Sequence, residues 1–439
     1  MKRKKSNVYC AISSEIITRK EIFLINEASK FGDVIVGILT DKAIAEYKSI
    51  PLIKFEDRFE IISNIKCVKK VIPQDTRDYT ENLNLLRPDY VLHEKNFWKT
   101  GIQKNIRKRV LTCLKKWKGK LVEINLDNNQ ETNNVYEDRV ESIKNMPEYR
   151  SSRLRRLIQN KKITRVMEVH SPISALLVEK ISLTRNNKIS EFDAFWSSSL
   201  TDSVLRGKPD IESVDSSTRI QTVNEIFEVT TKPLIFDGDT GGRIEHLGYT
   251  VKNLERLGVS AIIIEDKVGL KRNSLFGNDV KQKQDTSKSF CNKIKVAKKS
   301  QQTDDFMVIA RIESLILGNG INDAIMRSKK YIKAGADAIM IHSKKEEPSE
   351  IQKFCKKYNL LSSKVPLVLV PTTYNSMKED EMIKLGVKVV IYANHLMRST
   401  IPSMKNTALS ILKNQRSFEI EKKILSIADI LDLIPGTKN

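Results

Sequence analysis

The sequence predicts a mixed α/β chain in two units: an N-terminal doubly wound, Rossmann-like parallel sheet and a C-terminal (β/α)8 TIM barrel. Three observations carry this. Short β-branched runs alternate with helical patterns, as parallel strands joined by crossover helices do. The alternation breaks once, in the polar, Asn-rich stretch "LDNNQETNNVYEDRVESIKNMPEYRSSRLRRLIQN" at 126–160. Eight further strand-like runs follow, the number that closes a barrel.

In the first unit the runs are "VYCAIS" (8–13), "VIVGIL" (34–39), "KKVIP" (69–73), "YVLH" (90–93) and "LVEIN" (121–125), with helical stretches such as "KEIFLINEASKFG" between them. This gives an α/β domain at 1–126, a linker and connecting helix at 127–160, and a barrel at 161–439. The barrel runs are "RVMEVH", "AFWSSS", "PLIFDGD", "AIIIED", "MVIARIE", "AIMIHS", "LVLVP" and "VVIYA". Each is apolar and turns polar at its C-terminal end. Those ends supply His170, Ser198, Asp237 with Asp239, Glu265 with Asp266, Arg311 with Glu313, His342 with Ser343, Thr372 and Asn394. In a TIM barrel they meet on one face, where catalytic groups gather.

Composition narrows the class. At 439 residues, 40% hydrophobic and 30% charged, the chain reads as soluble, with no apolar run long enough to span a bilayer and no signal peptide. Five scattered cysteines without CxxC spacing fit a reducing compartment, and the expected location is the cytoplasm. The net charge of +22 invites a nucleic-acid reading, but the excess is spread along the chain and interleaved with acids. Its densest run, 104–120, carries Ile106, Val110, Leu111 and Leu114 at helical spacing, which describes a surface helix with a solvated basic face. Neither nucleic acid nor membrane is expected as a partner.

"FDGDTGG" places Asp237 and Asp239 two apart at a strand end, and Glu265 arrives from the next strand. Three hard oxygen donors without nearby Cys or His suit Mg²⁺ or Mn²⁺ rather than zinc. The plain alternative is a turn that binds nothing. Arg311 reads either as a fork for phosphoryl or carboxylate oxygens or as an ion-pair partner of Glu313 or Glu265. His342 reads as a donor to the same oxygens or as a satisfied core histidine. Segment 266–280, with Gly269 and Gly277 as candidate hinges, reads as a loop able to close over substrate and bring Lys271, Asn273 and Ser274 down from above, or as an ordinary solvated loop.

"EDKVGLKRNS" (265–274) resembles the signature of the phosphoenolpyruvate mutase family of the isocitrate lyase superfamily: Glu-Asp-Lys, five residues, then Asn-Ser. "WSSSL", "RGKPD", "DGDTGG", "ARIES", "IHSKK" and "YANHLMR" follow the family's order over about residues 160–425. The resemblance implies interconversion of phosphoenolpyruvate and phosphonopyruvate. It also implies a Mg²⁺ site at Asp237, Asp239 and Glu265, largely through bound waters. Ser198 and Ser199, after Trp196, match the stretch that holds the substrate carboxylate. Asp210 matches an essential aspartate, nucleophile or orienter. Lys271, Asn273, Ser274, Arg311 and His342 match the phosphoryl-binding set. The family's barrels exchange their last helix in dimers and tetramers, and "TALSILKNQ" (407–415) offers such a segment. "EVHSPISA" departs from the usual Glu-Ala-His-Asn-Gly-Leu-Ser-Ala.

The first unit resembles cytidylyltransferase-like nucleotidyltransferases through "INEASKFGDVIVGILTDKAIAEYKSIP" (25–51). The family's His-x-Gly-His site here reads Thr18-Arg19-Lys20-Glu21, and its Ser/Thr-rich phosphate motif is not readable in "NLDNNQETNNVY". The expectation is a scaffold without nucleotidyl transfer. On the barrel, phosphonopyruvate hydrolysis is the nearest alternative, separated from the mutase reading by the Asn273-Ser274 pair. A carbon–carbon lyase would want a thiol in the lid, which has none. A binding protein with a relict barrel would not keep the site residues.

Overall fold

The N-terminal sheet forms where the β-branched runs place it, because each run is flanked by helical pattern; the central strands are buried and the edge strands partly exposed. Its strands are β1 (Asn7–Ile12), β2 (Asp33–Leu39), β3 (Val68–Gln74), β4 (Tyr90–Glu94) and β5 (Lys120–Ile124), in the order β3-β2-β1-β4-β5 and all parallel. The winding reverses between β1 and β4, which opens a crevice at the strands' C-terminal ends. The computed structural model describes the chain except residues 1–5, 14–15, 96–100, 126–139, 141, 186–187, 270 and 435–439. The expected phosphate motif at 125–136 therefore lies almost wholly outside the described residues. The basic run at 104–120 falls on the helix Gly101–Lys115, with Ile106, Val110 and Leu114 buried against the sheet.

The second unit is a closed eight-stranded parallel barrel. In chain order it contains β6 (Thr164–Glu168), a hairpin of β7 (Ser182–Arg185) and β8 (Lys188–Glu191), then β9 (Ala194–Ser197), β10 (Leu234–Asp237) and β11 (Ala261–Glu265). A second hairpin, β12 (Lys267–Val268) with β13 (Lys283–Gln284), precedes β14 (Met307–Ile312), β15 (Ala338–Ile341), β16 (Leu367–Leu369) and β17 (Val387–Tyr392). The barrel strands are β6, β9, β10, β11, β14, β15, β16 and β17. Neither hairpin has a signal of its own in the sequence.

Side chains alternate along a strand, so one parity of every stave points inward. Val166, Ile235, Ile263, Ile309, Met340 and Val370 fill the barrel interior. Two residues further along each strand, the same direction carries Glu168, Asp237, Glu265, Arg311, His342 and Thr372. The opposite parity, including Phe236, Ile264, Val308 and Ile339, packs against the surrounding helices. The apolar-to-polar switch at each strand end thus caps a dry core with a ring of chemistry.

The barrel floor is closed by the helix Pro147–Asn160, whose Leu154 and Ile158 join the inner core. Arg150 donates to Thr230 O at 2.9 Å and stacks over Phe227. On its other side Arg156 reaches the first unit, donating to Asp41 at 3.0 Å and to Pro51 O at 2.8 Å. The helical part of the expected 127–160 connection is therefore a member of the barrel floor that also grips the sheet domain. No helix among the described residues is long and apolar enough to cross a membrane.

Candidate active site

The strand ends enclose a cavity of about 50 Å³ at the C-terminal face of the barrel. Of the residues singled out in the sequence, Asp210, Lys271, Asn273, Ser274, Arg311, His342, Trp196, Ser198, Ser199, Asp237 and Glu265 line it, together with Thr372 and Asn394. Asp239 does not line it. It lies behind Lys271, whose ammonium makes an ion pair with its carboxylate. His170 does not line it either, being bonded through Nδ1 to Glu168 at 2.9 Å. Asp266, beside Glu265, faces away and accepts from Tyr331, Arg327, Gln284 and the Glu313 amide.

Strand register sets the centre. Glu265 and Arg311 are paired neighbours on β11 and β14, so their side chains emerge side by side. Arg311 lies 3.3 Å from Glu265, donates from Nε to Glu313 at 2.5 Å and from its Nη2 to Ser274 at 2.7 Å and His342 Nδ1 at 3.1 Å. The ion pairs weighed as its alternative role are both present, and Arg311 still lines the cavity. Because His342 Nδ1 accepts from a guanidinium, the ring's proton belongs on Nε2. Burial and the Arg311 charge push the imidazole's pKa below its ordinary value, so it is neutral at pH 7.

In segment 266–284 the described residues are clasped to the barrel at both ends. Gly269 turns with φ of 87°, a left-handed conformation that suits glycine. At the root, Lys267 donates to Arg272 O, Ser274 Oγ and Gln282 Oε1 at 2.9–3.0 Å. At the tip, Lys271 and Asn273 take the two oxygens of Asp210, at 2.7 and 2.9 Å. Asn273 is oriented by accepting from the Leu275 amide. Ser274 gives its proton to Glu313 at 2.6 Å while accepting from Arg311 and Lys267, so in this arrangement it fastens the lid to the floor. Glu313, expected as an ion-pair partner of Arg311, also anchors Ser274, while Lys267 and Arg219 are organising charges with no role legible in the sequence.

The acids respond to this setting in different directions. Burial raises Asp237, but Lys271, Arg311 and Arg219 overcome it and hold the carboxyl below its ordinary value. Burial and then the Asp237 charge push Asp239 up, against Lys271 and Arg219. Glu265 is pushed up to about 7 by burial, against the pull of Arg311 and Lys267. Two oxygens here, Asp239 Oδ1 and Glu265 Oε1, are within ion-pair reach of an ammonium yet accept no well-directed hydrogen bond. Carboxylate oxygens that already face positive charge suit a divalent cation. No three acidic, histidine or cysteine side chains among the described residues stand close enough to ligate one ion directly. Mg²⁺, which keeps several waters, fits that spacing; a fully protein-caged ion does not.

Glu265 and Asp266 both rise to about 7, from 4.5 and 3.8, chiefly through burial. Between those values the folded chain holds protons that the unfolded chain has released, so stability falls as pH rises through that window. Glu265 alone contributes a loss of about 3 kcal/mol. The melting temperature in EDTA is expected to drop between pH 5 and pH 8, and excess Mg²⁺ to restore it at the upper end. A flat or rising profile in EDTA would contradict this.

The first unit holds a separate cavity of about 170 Å³ in the crevice beside β1 and β4, lined by Lys20, Glu21, Tyr47, Arg77, Tyr79 and His93 among others. The helix Arg19–Ser29 that starts there is capped by its own acid, Glu21 accepting from the Thr18 amide and hydroxyl at 2.8 and 2.5 Å. A carboxylate thus occupies the helix N-terminus where a phosphate would otherwise be favoured.

Comparison with known proteins adds to this geometry. The family model described as phosphoenolpyruvate phosphomutase matches residues 154–412, and the one described as cytidylyltransferase-like matches residues 16–157. A phosphoenolpyruvate phosphomutase of Tetrahymena pyriformis is 36% identical over 286 residues, 65% of this chain and 91% of that protein. A phosphonopyruvate hydrolase of Variovorax sp. (strain Pal2) is 34% identical over 282 residues, 64% of this chain and 93% of that protein. Among solved structures, a phosphoenolpyruvate phosphomutase from Streptomyces platensis subsp. rosaceus superposes with a TM-score of 0.59 at 34% identity, covering 64% of this chain and 93% of that one. A phosphonopyruvate hydrolase in complex with oxalate and Mg²⁺ gives 0.57 at 32% identity, covering 66% and 94%.

Proposed function

The chain belongs to the phosphoenolpyruvate phosphomutase family, and from that premise we propose that it interconverts phosphoenolpyruvate and phosphonopyruvate, the C–P bond-forming step of phosphonate synthesis. The observation that carries the reading is the lid, fastened by Lys271 and Asn273 to Asp210 and by Ser274 to Arg311 and Glu313 over a cavity of about 50 Å³. Moving a phosphoryl group between carbon and oxygen of one molecule needs water kept away, since capture by water gives pyruvate and phosphate.

In the direction from phosphonopyruvate, the C–P bond breaks and its electron pair becomes the enolate double bond. The enolate oxygen then takes the phosphorus, and no proton or water is gained or lost. Ser198, Ser199 and Trp196 hold the carboxylate end. The Arg311 fork, the Nε2–H of His342 and the second N–H of the Asn273 amide grip the phosphoryl oxygens while charge spreads over them. Asp210 has both oxygens engaged by Lys271 and Asn273, which lowers its nucleophilicity and suits an orienting role. Asp237, Asp239 and Glu265 would hold Mg²⁺, largely through its waters, and the ion would supply positive charge to the carboxylate and enolate oxygens.

Phosphonopyruvate hydrolysis on the same barrel is the second reading, favoured by the 34% identical hydrolase. A coupled assay separates the two. With phosphonopyruvate, Mg²⁺, lactate dehydrogenase and NADH, the mutase oxidises NADH only after pyruvate kinase and ADP are added. Oxidation without them means hydrolysis, and none in either case excludes both readings.

We propose small-molecule substrates and copies of this chain as its partners, and no nucleic acid or membrane. The helix His395–Asn414 buries only Met397, while Ile401, Met404, Leu409 and Leu412 on it and Phe418 and Ile427 beyond it are exposed. Helix exchange into a dimer or tetramer would cover this apolar surface. Light scattering at micromolar concentration is expected to show an oligomer, and Leu412→Glu with Ile427→Glu a monomer. A monomeric parent chain would contradict it. For the first unit we propose a scaffold without nucleotidyl transfer, given Glu21 at its helix N-terminus and no histidine pair there.

A further inference from the structure

Lys271 does more than a lysine that only waits for substrate. Its ammonium is buried, with side-chain exposure of 6%, and it touches three elements at once. It lies 2.7 Å from Asp210 on the loop after the helix Ser199–Leu205, pairs with Asp239 after β10, and bonds the hydroxyl of Ser199 at the start of that helix. Ser199 in turn donates to Asp237 from its hydroxyl at 3.0 Å and from its amide at 3.4 Å. One tethered cation therefore faces Asp239 directly and Asp237 through a single hydroxyl. It also shields Asp239 from the cavity, alone among the three acids assigned to the metal.

Asp239 itself is set up to accept a cation on this side. Its φ of 52° is a left-handed conformation that turns the side chain out of the strand path. Its Oδ2 is held by Arg219 at 3.2 Å, which leaves Oδ1 as the oxygen facing Lys271. An ammonium is a compact, strongly hydrated point charge, the closest that a side chain comes to a metal ion. Two cations at one carboxylate oxygen repel each other.

Resting on the metal-dependent reading above, we propose that Lys271 is a tethered stand-in for the divalent cation: the two compete for Asp239, so that cation entry unlatches the lid and substrate then reseals it. The lid would thus close firmly in two states, with neither cation nor substrate or with both. The cation alone would hold the site open for the anionic substrate.

The test uses the full chain, Mn²⁺ as the probe, and no turnover. Mn²⁺ binding is read by electron paramagnetic resonance, and lid opening by the rate of tryptic cleavage after Lys271 or Arg272, located by mass spectrometry. In the parent chain, saturating Mn²⁺ should raise lid cleavage several-fold, and Mn²⁺ with oxalate should suppress it. Lys271→Met should bind Mn²⁺ roughly 10- to 100-fold more tightly, the worth of one charge-assisted contact, with cleavage after Arg272 already fast and insensitive to metal. Mn²⁺ binding that leaves parent-chain cleavage unchanged or slower overturns the proposal and leaves the mutase reading standing, as does Lys271→Met binding no tighter. Absence of Mn²⁺ binding in both chains overturns the proposal together with the metal-dependent reading.

Discussion

Arg311→Ala is expected to abolish measurable interconversion and to destabilise the fold at the same time. The guanidinium is buried between Glu265 and Glu313 and bonded to Ser274 and His342. Removing it strands two carboxylates in the barrel, and Glu313, held well below its ordinary pKa by Arg311 and Lys267 against burial, loses its main support. Breaking one partner of a buried pair costs about 3–5 kcal/mol. The catalytic loss is larger: a fork aimed at a transferring phosphoryl group is worth on the order of 10³–10⁵ in rate. Arg311→Lys separates the effects, because it keeps the charge and loses the fork. Its melting temperature should recover most of the deficit, while kcat/KM stays down by at least ~10²-fold. Turnover near that of the parent chain in Arg311→Ala would refute the assignment.

Asn273→Ala probes the lid with little cost in stability. The side chain spans two elements, accepting from Leu275 and donating to Asp210. Its loss frees one oxygen of Asp210, loosens the cover and removes a donor to the phosphoryl oxygens. A fall in kcat of roughly 10²–10³ is expected, the worth of one preorganised donor, with KM changing far less. The residual turnover should release more pyruvate and phosphate, because water reaches the phosphoryl group more often. Unchanged kcat and unchanged products would remove Asn273 from the mechanism.

Much of this architecture was legible in the chain because burial and period write themselves into the residue order. Val166, Ile235, Ile263, Ile309 and Met340 mark the inward parity of each stave, and the polar residue two places on must then share the same cavity. Strand spacing alone therefore brings Asp237, Glu265, Arg311 and His342 together from positions more than a hundred residues apart. The two hairpins carry no period in the sequence because β7–β8 and β12–β13 are short, largely polar and paired only with each other.

The charge network was harder to see. Lys267 reads only as the third residue of the Glu-Asp-Lys signature, and the fold shows its ammonium at Glu265, Arg272 O and Ser274. Asp239 was expected on the cavity wall with Asp237, yet a one-residue glycine spacer and its left-handed backbone put it behind Lys271. Nor does sequence spacing reveal that Ser274, expected among the phosphoryl-binding groups, has its proton committed to Glu313. Long-range pairing of flexible side chains depends on loop geometry, for which the sequence has no period.

The central claim is most directly tested by ³¹P NMR of the purified chain with phosphonopyruvate, run with Mg²⁺ and again with excess EDTA. Phosphoenolpyruvate appearing as the sole new phosphorus resonance with Mg²⁺, and no change under EDTA, is the predicted result. Inorganic phosphate as the main product, or conversion that continues undiminished under chelation, would contradict it.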